Sequence, residues 1–296
     1  MTVTAVSPAI SAPARLWSGF RSLPLAMRCG MAILALHVFV AMLGLLWTPY
    51  PYDAIGTGVG ATGMSWQHPF GLDQLGRDVL SRVMYASHIV LYMGLLGTLF
   101  GMFFGTILGL LSALIGGWFD AILQRFFEAM ISIPFLILGL IAISAAGPRL
   151  ASNPTLIALV VGIVFLPRVA RIARAAGLQV VTRDYVTAAR LRGESYPAIV
   201  LQEVLPNCAG PLLVELALRA GYAPVLIGSF GFLGFGVRAP MPEWGLMLSE
   251  NRDLIMITPI TTIGPGLALA TLVFGLNLFT DGLARYLDRA GLTTAR

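Results

Sequence analysis

Long apolar runs, each of about 18 residues or more, recur along this chain of 296 residues and constrain its fold more than any other feature. A helix rises roughly 1.5 Å per residue, so each run can cross the hydrocarbon core of a bilayer, which is about 30 Å thick. Hydrophobic residues form 57% of the chain and charged residues only 11%, a balance that a water-soluble domain of this length could not keep off its surface. The sequence therefore predicts an all-α membrane protein.

The apolar runs and the polar stretches between them predict six transmembrane helices. The first covers 30–47, and a core with five more covers 88–283. The core helices are expected at about 88–115, from the charged turn 116–130 to near Gly147 with a kink at Pro134, at 154–176, at 211–230 and at 259–283. The other predicted segments are an N-terminal segment 1–29, a loop 48–87 and a tail 284–296.

The arginines predict which side of the membrane each polar segment faces. Six helices place both termini on one side, and thirteen arginines fall there: Arg15, Arg21, Arg28, Arg125, Arg168, Arg171, Arg174, Arg183, Arg190, Arg192, Arg285, Arg289 and Arg296. Five fall on the other side, namely Arg77, Arg82, Arg149, Arg238 and Arg252. Because basic residues are retained on the cytoplasmic side, both termini are predicted to be cytoplasmic and loop 48–87 extracytoplasmic.

All 19 basic residues of the chain are arginines. The absence of lysine excludes a Walker A phosphate loop and a Schiff-base lysine, so any ATP that drives this protein must bind to another chain. The net charge of +5 would suggest nucleic acid in a soluble protein, but here the charges lie between apolar runs. We therefore expect no nucleic-acid partner.

The cysteines and histidines do not form a recognisable site. Cys29 and Cys208 are far apart in the sequence, and His37, His68 and His88 are scattered without HExxH spacing. We expect no metal site and no catalytic residue in this chain.

Four glycines at i+4 spacing lie in the second predicted helix: Gly97, Gly101, Gly105 and Gly109. They share one helix face and let a neighbouring backbone approach closely. Packing within the chain is the favoured interpretation, and a seam between two chains is the alternative.

The most polar stretch, DYVTAARLRGESYPAIVLQEVLPN, lies within the predicted cytoplasmic loop 183–206 and its exit. DYVTAARLRG is compatible with a helix that Asp184 caps and Gly193 ends. A second short helix is predicted after it, with Pro197 in its first turn. Two short helices joined at a glycine would form a compact knob that can insert into a groove of another protein.

The same loop resembles the EAA loop of ABC importer permeases. Residues 185–193 read YVTAARLRG, and Ile199 and Leu205-Pro206 follow at the family's spacing, although Thr187 stands where the family usually has glutamate. In that family the loop is the coupling helix, which docks in a cleft on the ATPase. The resemblance implies an ATPase-coupling set of Tyr185, Ala188, Ala189, Arg190, Arg192, Gly193 and Glu194.

Three further segments extend the resemblance over roughly residues 65–290. HPFGLDQLGRDVLSRV (68–83), PEWGLMLSENRDLI (242–255) and PGLALATLVFGLNLFTDGLARYLD (265–288) are similar, in this order, to the C-type permease of the peptide/nickel subfamily. The resemblance implies a type I importer permease fold, and a bacterial cell membrane as the location.

The resemblance also implies a set of partners. They are a second, B-type permease subunit that completes a heterodimer, one or more ATP-binding subunits that hold ATP and Mg, and an extracytoplasmic substrate-binding protein. No cofactor is expected on this chain. Peptides are the expected cargo, and nickel chelates or haem are alternatives within the subfamily.

Two groups of polar residues are candidates for a role in transport. Glu215 and Arg219 are spaced for an intrahelical ion pair and, with Asn277, are possible pathway residues, although mutual neutralisation in a buried face is an equal alternative. Outside the membrane, Asp73, Arg77 and Asp78 could pair among themselves or contact a binding protein.

Two other classes of function fit the sequence less well. An ion-coupled secondary transporter would leave the cytoplasmic loop unexplained. A membrane-embedded hydrolase would need a nucleophile, but the segment IGSFGF around Ser229 lacks the G-x-S-x-G frame. The sequence thus favours a transport subunit rather than an enzyme.

Overall fold

The structure, a computed structural model, describes residues 23–147 and 149–289, whose regular structure is helical. In chain order the helices are α1 (Leu25–Leu46), α2 (Val79–Ile115), α3 (Gly117–Ser132), α4 (Phe135–Ala145), α5 (Pro154–Val180), α6 (Asp184–Leu191), α7 (Tyr196–Ile199), α8 (Leu205–Asn207), α9 (Ala209–Phe232), α10 (Trp244–Glu250) and α11 (Ile260–Arg289). A π-helical turn (Val200–Val204) joins α7 to α8, and a 3₁₀ turn (Arg252–Leu254) follows α10. The predicted all-α membrane fold is confirmed.

Among the described residues, five helices are long and apolar enough to cross a membrane, namely α1, α2, α5, α9 and α11. Helices α3 and α4 pass the same test together, with a 97° bend at the break between them. Pro134 lies at this break, immediately before the first residue of α4. Proline has no backbone N–H to donate and disfavours a continuous helix, which explains the break. The bent pair completes the six predicted spans when it is counted as one.

Several helix ends differ from the sequence-based expectation. Helix α2 begins at Val79, nine residues before the predicted start at 88, because the Asp78 carboxylate accepts a hydrogen bond from the Ser81 N–H and caps the helix. Helix α1 begins at Leu25 and α11 continues to Arg289. A hydropathy pattern detects only the apolar part of a helix and misses the polar turns at its ends. Residues 1–22 and 290–296 of the predicted terminal segments lie outside the described residues.

The core of the fold is the contact between α2 and α5. All four glycines of the i+4 row are buried and face α5. A Cβ atom added to Gly101 would lie 2.8 Å from the Gly162 carbonyl oxygen and 3.0 Å from Cβ of Phe165. The prediction of close packing within the chain is therefore confirmed.

The first and last helices of the described chain, α1 and α11, pack against each other. His37 of α1 lies within hydrogen-bonding distance of Thr271 on α11, with 3.1 Å between Nε2 and Oγ1. The His37 ring also meets the buried Trp244 ring edge-on at 5.9 Å between centroids. These contacts tie the first helix to the last helix and to α10.

The close approach of α2 to α5 predicts that even one methyl group at Gly101 destabilises the protein. We expect Gly101→Ala to lower the thermal unfolding midpoint of the detergent-solubilised chain, because the new methyl group meets backbone atoms of α5; overpacking of this kind costs about 1–3 kcal/mol. Gly266→Ala is the matched control, since its Cβ would meet only Leu248 at 3.6 Å. Equal midpoints for the two variants would contradict the proposed packing.

Candidate functional site

Loop 183–206 forms two short helices that are separated by a sharp turn. Helix α6 ends at Leu191, and Gly193 takes a φ of +78°, a left-handed conformation that favours glycine. Helix α7 then begins after Ser195 and has Pro197 in its first turn. The predicted two-helix knob is confirmed, with one correction: Arg183 is the N-cap of α6, and Asp184 is its first residue and forms no capping hydrogen bond.

The second helix of the loop is followed by further helical turns that lead to α9. Helix α7 continues into the π-helical turn and then into α8, and the helical conformation is interrupted at Cys208 before α9 begins. A π-helical turn widens the helix by one residue and is frequent at functional sites. Sequence periodicity does not reveal such a turn, because it extends over only five residues, Val200–Val204.

The inner face of the loop is anchored to the end of α2. Val186 and Ala189 of α6 are fully buried and belong to one apolar cluster with Ile199, Leu110 and Leu114. The expectation that Ala189 faces a partner is therefore wrong. Positions 186 and 189 lie three apart on one face of α6, and that face is turned toward the body of this chain.

Two arginines of the predicted coupling set form hydrogen bonds with other residues of this chain. The Arg190 guanidinium donates a hydrogen bond of 2.8 Å from Nη2 to the Leu114 carbonyl oxygen, near the end of α2. Arg192 donates from Nε to Oε1 of Glu194 at 2.8 Å, across the Gly193 turn. Arg190 thus ties the loop to α2, and the Arg192–Glu194 pair braces the turn.

The outer face of the loop carries exposed apolar and aromatic side chains. Tyr185 and Ala188, both in the predicted set, are exposed, as are Leu191 and Tyr196. Leu191 is 85% exposed at the tip of α6. Sequence analysis did not single out Leu191 and Tyr196, although their position beside the Gly193 turn is the signal that could have identified them.

The predicted ion pair inside the membrane is present. The Arg219 guanidinium donates from Nε to Oε1 of Glu215 at 2.6 Å, and Glu215 is only 4% exposed. The guanidinium carbon also lies 5.6 Å from the ring centroid of Phe165 and 5.7 Å from that of Tyr222. Both charges are therefore neutralised by a close partner and shielded by aromatic rings.

Asn277 does not join this pair. It lies on α11, where its Oδ1 faces Gly221 of α9 and would lie 3.1 Å from a Cβ added there. Positions 219 and 221 are two apart on α9 and do not share a face. Glu215 and Arg219 thus lie on one face of α9, whereas Asn277 approaches another face of α9 from α11.

A network of four charged side chains, three buried and one partly buried, joins segments 68–83 and 242–255, which are both predicted to be extracytoplasmic. Oδ2 of Asp73 lies 2.6 Å from both Nε of Arg77 and Nη1 of Arg82. Oε2 of Glu250 lies 3.0 Å from Nη2 of Arg77 and 2.9 Å from Nη2 of Arg82. The network pairs two positive and two negative charges, which is the condition for keeping them out of water.

The predicted pairing among the charges of segment 68–83 is only partly correct. Asp73 binds Arg77 as predicted, whereas the Asp78 carboxylate lies 2.9 Å from Nδ1 of His68 and caps α2. Arg82 and Glu250 were not identified from the sequence, because their contact joins segments that are far apart in the chain.

A second buried carboxylate, Glu243, precedes α10. Its two oxygens accept hydrogen bonds from the backbone N–H groups of Gly245 at 2.8 Å and Leu246 at 3.0 Å. Burial raises the pKa of Glu243 to about 7, and the two backbone hydrogen bonds only partly oppose this shift. The next residue, Trp244, donates from Nε1 to the Val83 carbonyl oxygen at 3.1 Å and so attaches α10 to α2.

Within the described ranges, no group of three or more His, Cys, Asp or Glu side chains is placed to hold a metal ion. The described residues offer an exposed two-helix knob, the ion pair between Glu215 and Arg219, and a charge network that joins segments 68–83 and 242–255.

Comparison with known proteins gives consistent similarities. Residues 101–290 match the family described as "Binding-protein-dependent transport system inner membrane component". The chain is 38% identical over 265 residues to the dipeptide transport system permease protein DppC of Escherichia coli K12, covering 88% of this chain and 87% of that protein. It is 34% identical over 265 residues to the di/tripeptide transport system permease protein DppC of Pseudomonas aeruginosa, covering 88% and 86%. A dipeptide transport system permease protein DppC of Alkalihalophilus pseudofirmus is 33% identical over 259 residues, covering 88% and 84%.

The charge network predicts a strong dependence of stability on Arg82. We expect Arg82→Met to destabilise the protein by about 3–5 kcal/mol, because the buried Asp73 carboxylate and the partly buried Glu250 carboxylate would then share one arginine. The thermal unfolding midpoint of the solubilised chain measures the effect. Arg252→Met is the control, since that arginine forms only an exposed pair with Asp253 at 3.6 Å, a kind worth about 0–1 kcal/mol. A loss no larger than that of the control would contradict the network's role.

The raised pKa of Glu243 predicts how stability changes with pH. The folded protein holds the Glu243 proton up to about pH 7, whereas a freely exposed glutamate loses it near the ordinary pKa of 4.5. Between these values the unfolded chain binds fewer protons, so the Glu243 contribution to stability falls as pH rises through this window. We expect Glu243→Gln to remove this fall from thermal unfolding midpoints measured between pH 4.5 and 7.5, while the exposed Glu128→Gln leaves it in place. An unchanged slope in Glu243→Gln would refute the assignment.

Proposed function

Because this chain belongs to the family of binding-protein-dependent transport system inner membrane components, we propose that it is the permease subunit of an ATP-driven importer of peptides. The resemblance found in the sequence is confirmed by the family match and by relatives that cover 88% of the chain. The chain is a multi-pass protein of a bacterial membrane. The observation that carries the proposed mechanism is loop 183–206, which is anchored on one face and exposed on the other.

The exposed face of the loop is the proposed docking surface for an ATP-binding subunit. Tyr185, Leu191 and Tyr196 offer an apolar and aromatic tip that would fill a cleft, and the exposed Ala188 leaves room for close approach. In this proposal the loop and both termini are cytoplasmic. ATP and Mg bind to the partner subunit, since this chain has no lysine for a Walker A loop.

Movement of the loop would reach the membrane helices by two routes. Arg190 and the cluster around Val186 and Ala189 connect α6 to the end of α2, and α2 is packed on α5 along its glycine face. The second route is the nearly continuous helical run from α7 to α9. Since closely packed helices move as units rather than deform gradually, a displaced loop would re-tilt these helices together.

The pathway is proposed to run beside α9. Glu215 and Arg219 supply polarity at that depth without net charge, and Asn277 supplies a neutral amide on the other side of the helix. An apolar cavity of about 490 Å³ lies between α2, α9 and α11, on the face of α9 that carries Leu216, Ala217 and Ala220. Small and apolar surroundings fit a route whose selectivity is set mainly by an external binding protein.

Peptides are the proposed cargo because the relatives that cover most of this chain are described as dipeptide or di/tripeptide permeases. The proposed complex contains this chain, a second B-type permease, one or more ATP-binding subunits and an extracytoplasmic substrate-binding protein. In this proposal the chain itself catalyses no reaction.

Uptake of a labelled dipeptide by the assembled complex in proteoliposomes tests the function. We expect ATP-dependent uptake that disappears when the phosphate-loop lysine of the ATPase is replaced. Uptake that persists with the inactive ATPase would instead favour an ion-coupled transporter.

In the same assay we expect Gly193→Val to reduce uptake at least tenfold while membrane insertion stays normal, because valine is strained at a φ of +78° and the turn sets the position of the knob. Gly56→Val is the matched control: it has a φ of +71° in equally open surroundings, but lies in the loop between α1 and α2. Uptake by Gly193→Val equal to that of the control would count against docking through the knob.

A further inference from the structure

A cavity of about 400 Å³ lies where α4 and α9 end and α5 begins. Its walls include Ser144, Ser152 and Arg238, with glycines at positions that allow the backbone to come close to a ligand. The volume falls within the range of about 300–1,000 Å³ that is usual for small-molecule sites. The predicted topology places this cavity on the extracytoplasmic side, at the mouth of the proposed pathway.

At the two helix ends beside the cavity, backbone carbonyl groups already accept hydrogen bonds from backbone N–H groups. At the end of α4, the Gly147 N–H donates to the Ser144 carbonyl oxygen at 3.1 Å. At the end of α9, the Phe235 N–H donates to the Phe230 carbonyl oxygen at 2.8 Å. This pattern is that of capped helix C-termini, so the backbone carbonyls are not the main groups offered to a ligand.

The polar side chains of the cavity are, in contrast, unengaged. The guanidinium of Arg238 and the hydroxyls of Ser144 and Ser152 form no hydrogen bond or ion pair with another described residue. The guanidinium can donate two parallel hydrogen bonds to a carboxylate, and a hydroxyl can donate a third. The free groups therefore match the chemistry of a carboxylate.

The charges around the cavity favour an anion. Glu243 packs near the end of α9 against Gly231, but both its oxygens are engaged by the N–H groups of Gly245 and Leu246. On the other side, Ser152 immediately precedes the N-cap of the 27-residue helix α5, whose N-terminal end carries a partial positive charge. Arg238 is thus not neutralised by a carboxylate of any residue that the structure describes.

We propose that this cavity binds the terminal carboxylate of a peptide as it enters the pathway, with Arg238 as the principal donor and Ser144 and Ser152 beside it. The inference rests on the proposed function, since a peptide is the cargo that brings such a carboxylate. An acidic side chain of a docked protein has the same chemistry. A half-open recess of about 400 Å³ with glycine-lined walls favours a small ligand over a protein surface.

Photolabelling of the assembled importer in nanodiscs tests this site. The probe is a dipeptide whose C-terminal residue carries a diazirine side chain, and mass spectrometry maps the labelled residues. We expect label within 144–152 and 233–238. An unlabelled dipeptide should compete, and its C-terminal amide should compete about tenfold more weakly, because the charged hydrogen bonds to Arg238 are lost.

Variants separate a peptide site from a protein contact. We expect Arg238→Gln to lower the labelling about tenfold, while Arg252→Gln, which removes another exposed arginine on the same predicted side, leaves it unchanged. Label elsewhere in the chain, or equal labelling of the two variants, would overturn the proposal. So would an Arg238→Gln variant that labels normally but binds the substrate-binding protein more weakly.

Dipeptide uptake by the unmodified importer is measured in parallel, and its absence would reject the proposed function independently of where the label lies.

Discussion

The close contact between α2 and α5 is the interaction on which the rest of the structure depends. Helix α2 has 37 residues and so is about 55 Å long, which exceeds the thickness of a bilayer core. The glycine face fixes its middle against α5. Its N-terminal end holds Arg82 and the charge network, and its C-terminal end receives the side chain of Arg190. One helix therefore links segments 68–83 and 242–255 to loop 183–206.

Two groups of charged side chains in the interior are neutralised by close partners. Glu215 and Arg219 neutralise each other within one helix, whereas the four-residue network neutralises charges from separate segments. A paired charge avoids most of the desolvation cost of an isolated one, and it also fixes the relative position of the two groups that carry it. The network thus holds α10 against the start of α2, while the intramembrane pair leaves α9 free of such a link.

These constraints suggest a division between rigid and movable parts. The segments predicted to be extracytoplasmic are fastened by Asp73, Arg77, Arg82 and Glu250. Loop 183–206, which is predicted to be cytoplasmic, is fastened through its inner face, and its outer face is exposed. A push on the loop would therefore be transmitted along α2 and along the run from α7 to α9, which is the arrangement that an importer driven by a separate ATPase requires.

The sequence by itself determined those features that depend on neighbours along the chain. Hydropathy placed the spans, the i+4 glycines identified the packing face of α2, the four-residue spacing of Glu215 and Arg219 identified their ion pair, and Gly193 marked the turn of the loop. The tertiary structure alone decided that Ala189 faces inward, that Arg190 reaches Leu114, and that Arg82 meets Glu250. The physical reason is that periodicity records only which residues share a helix face, whereas the direction of that face, and the distant group it meets, are set by how the helices pack.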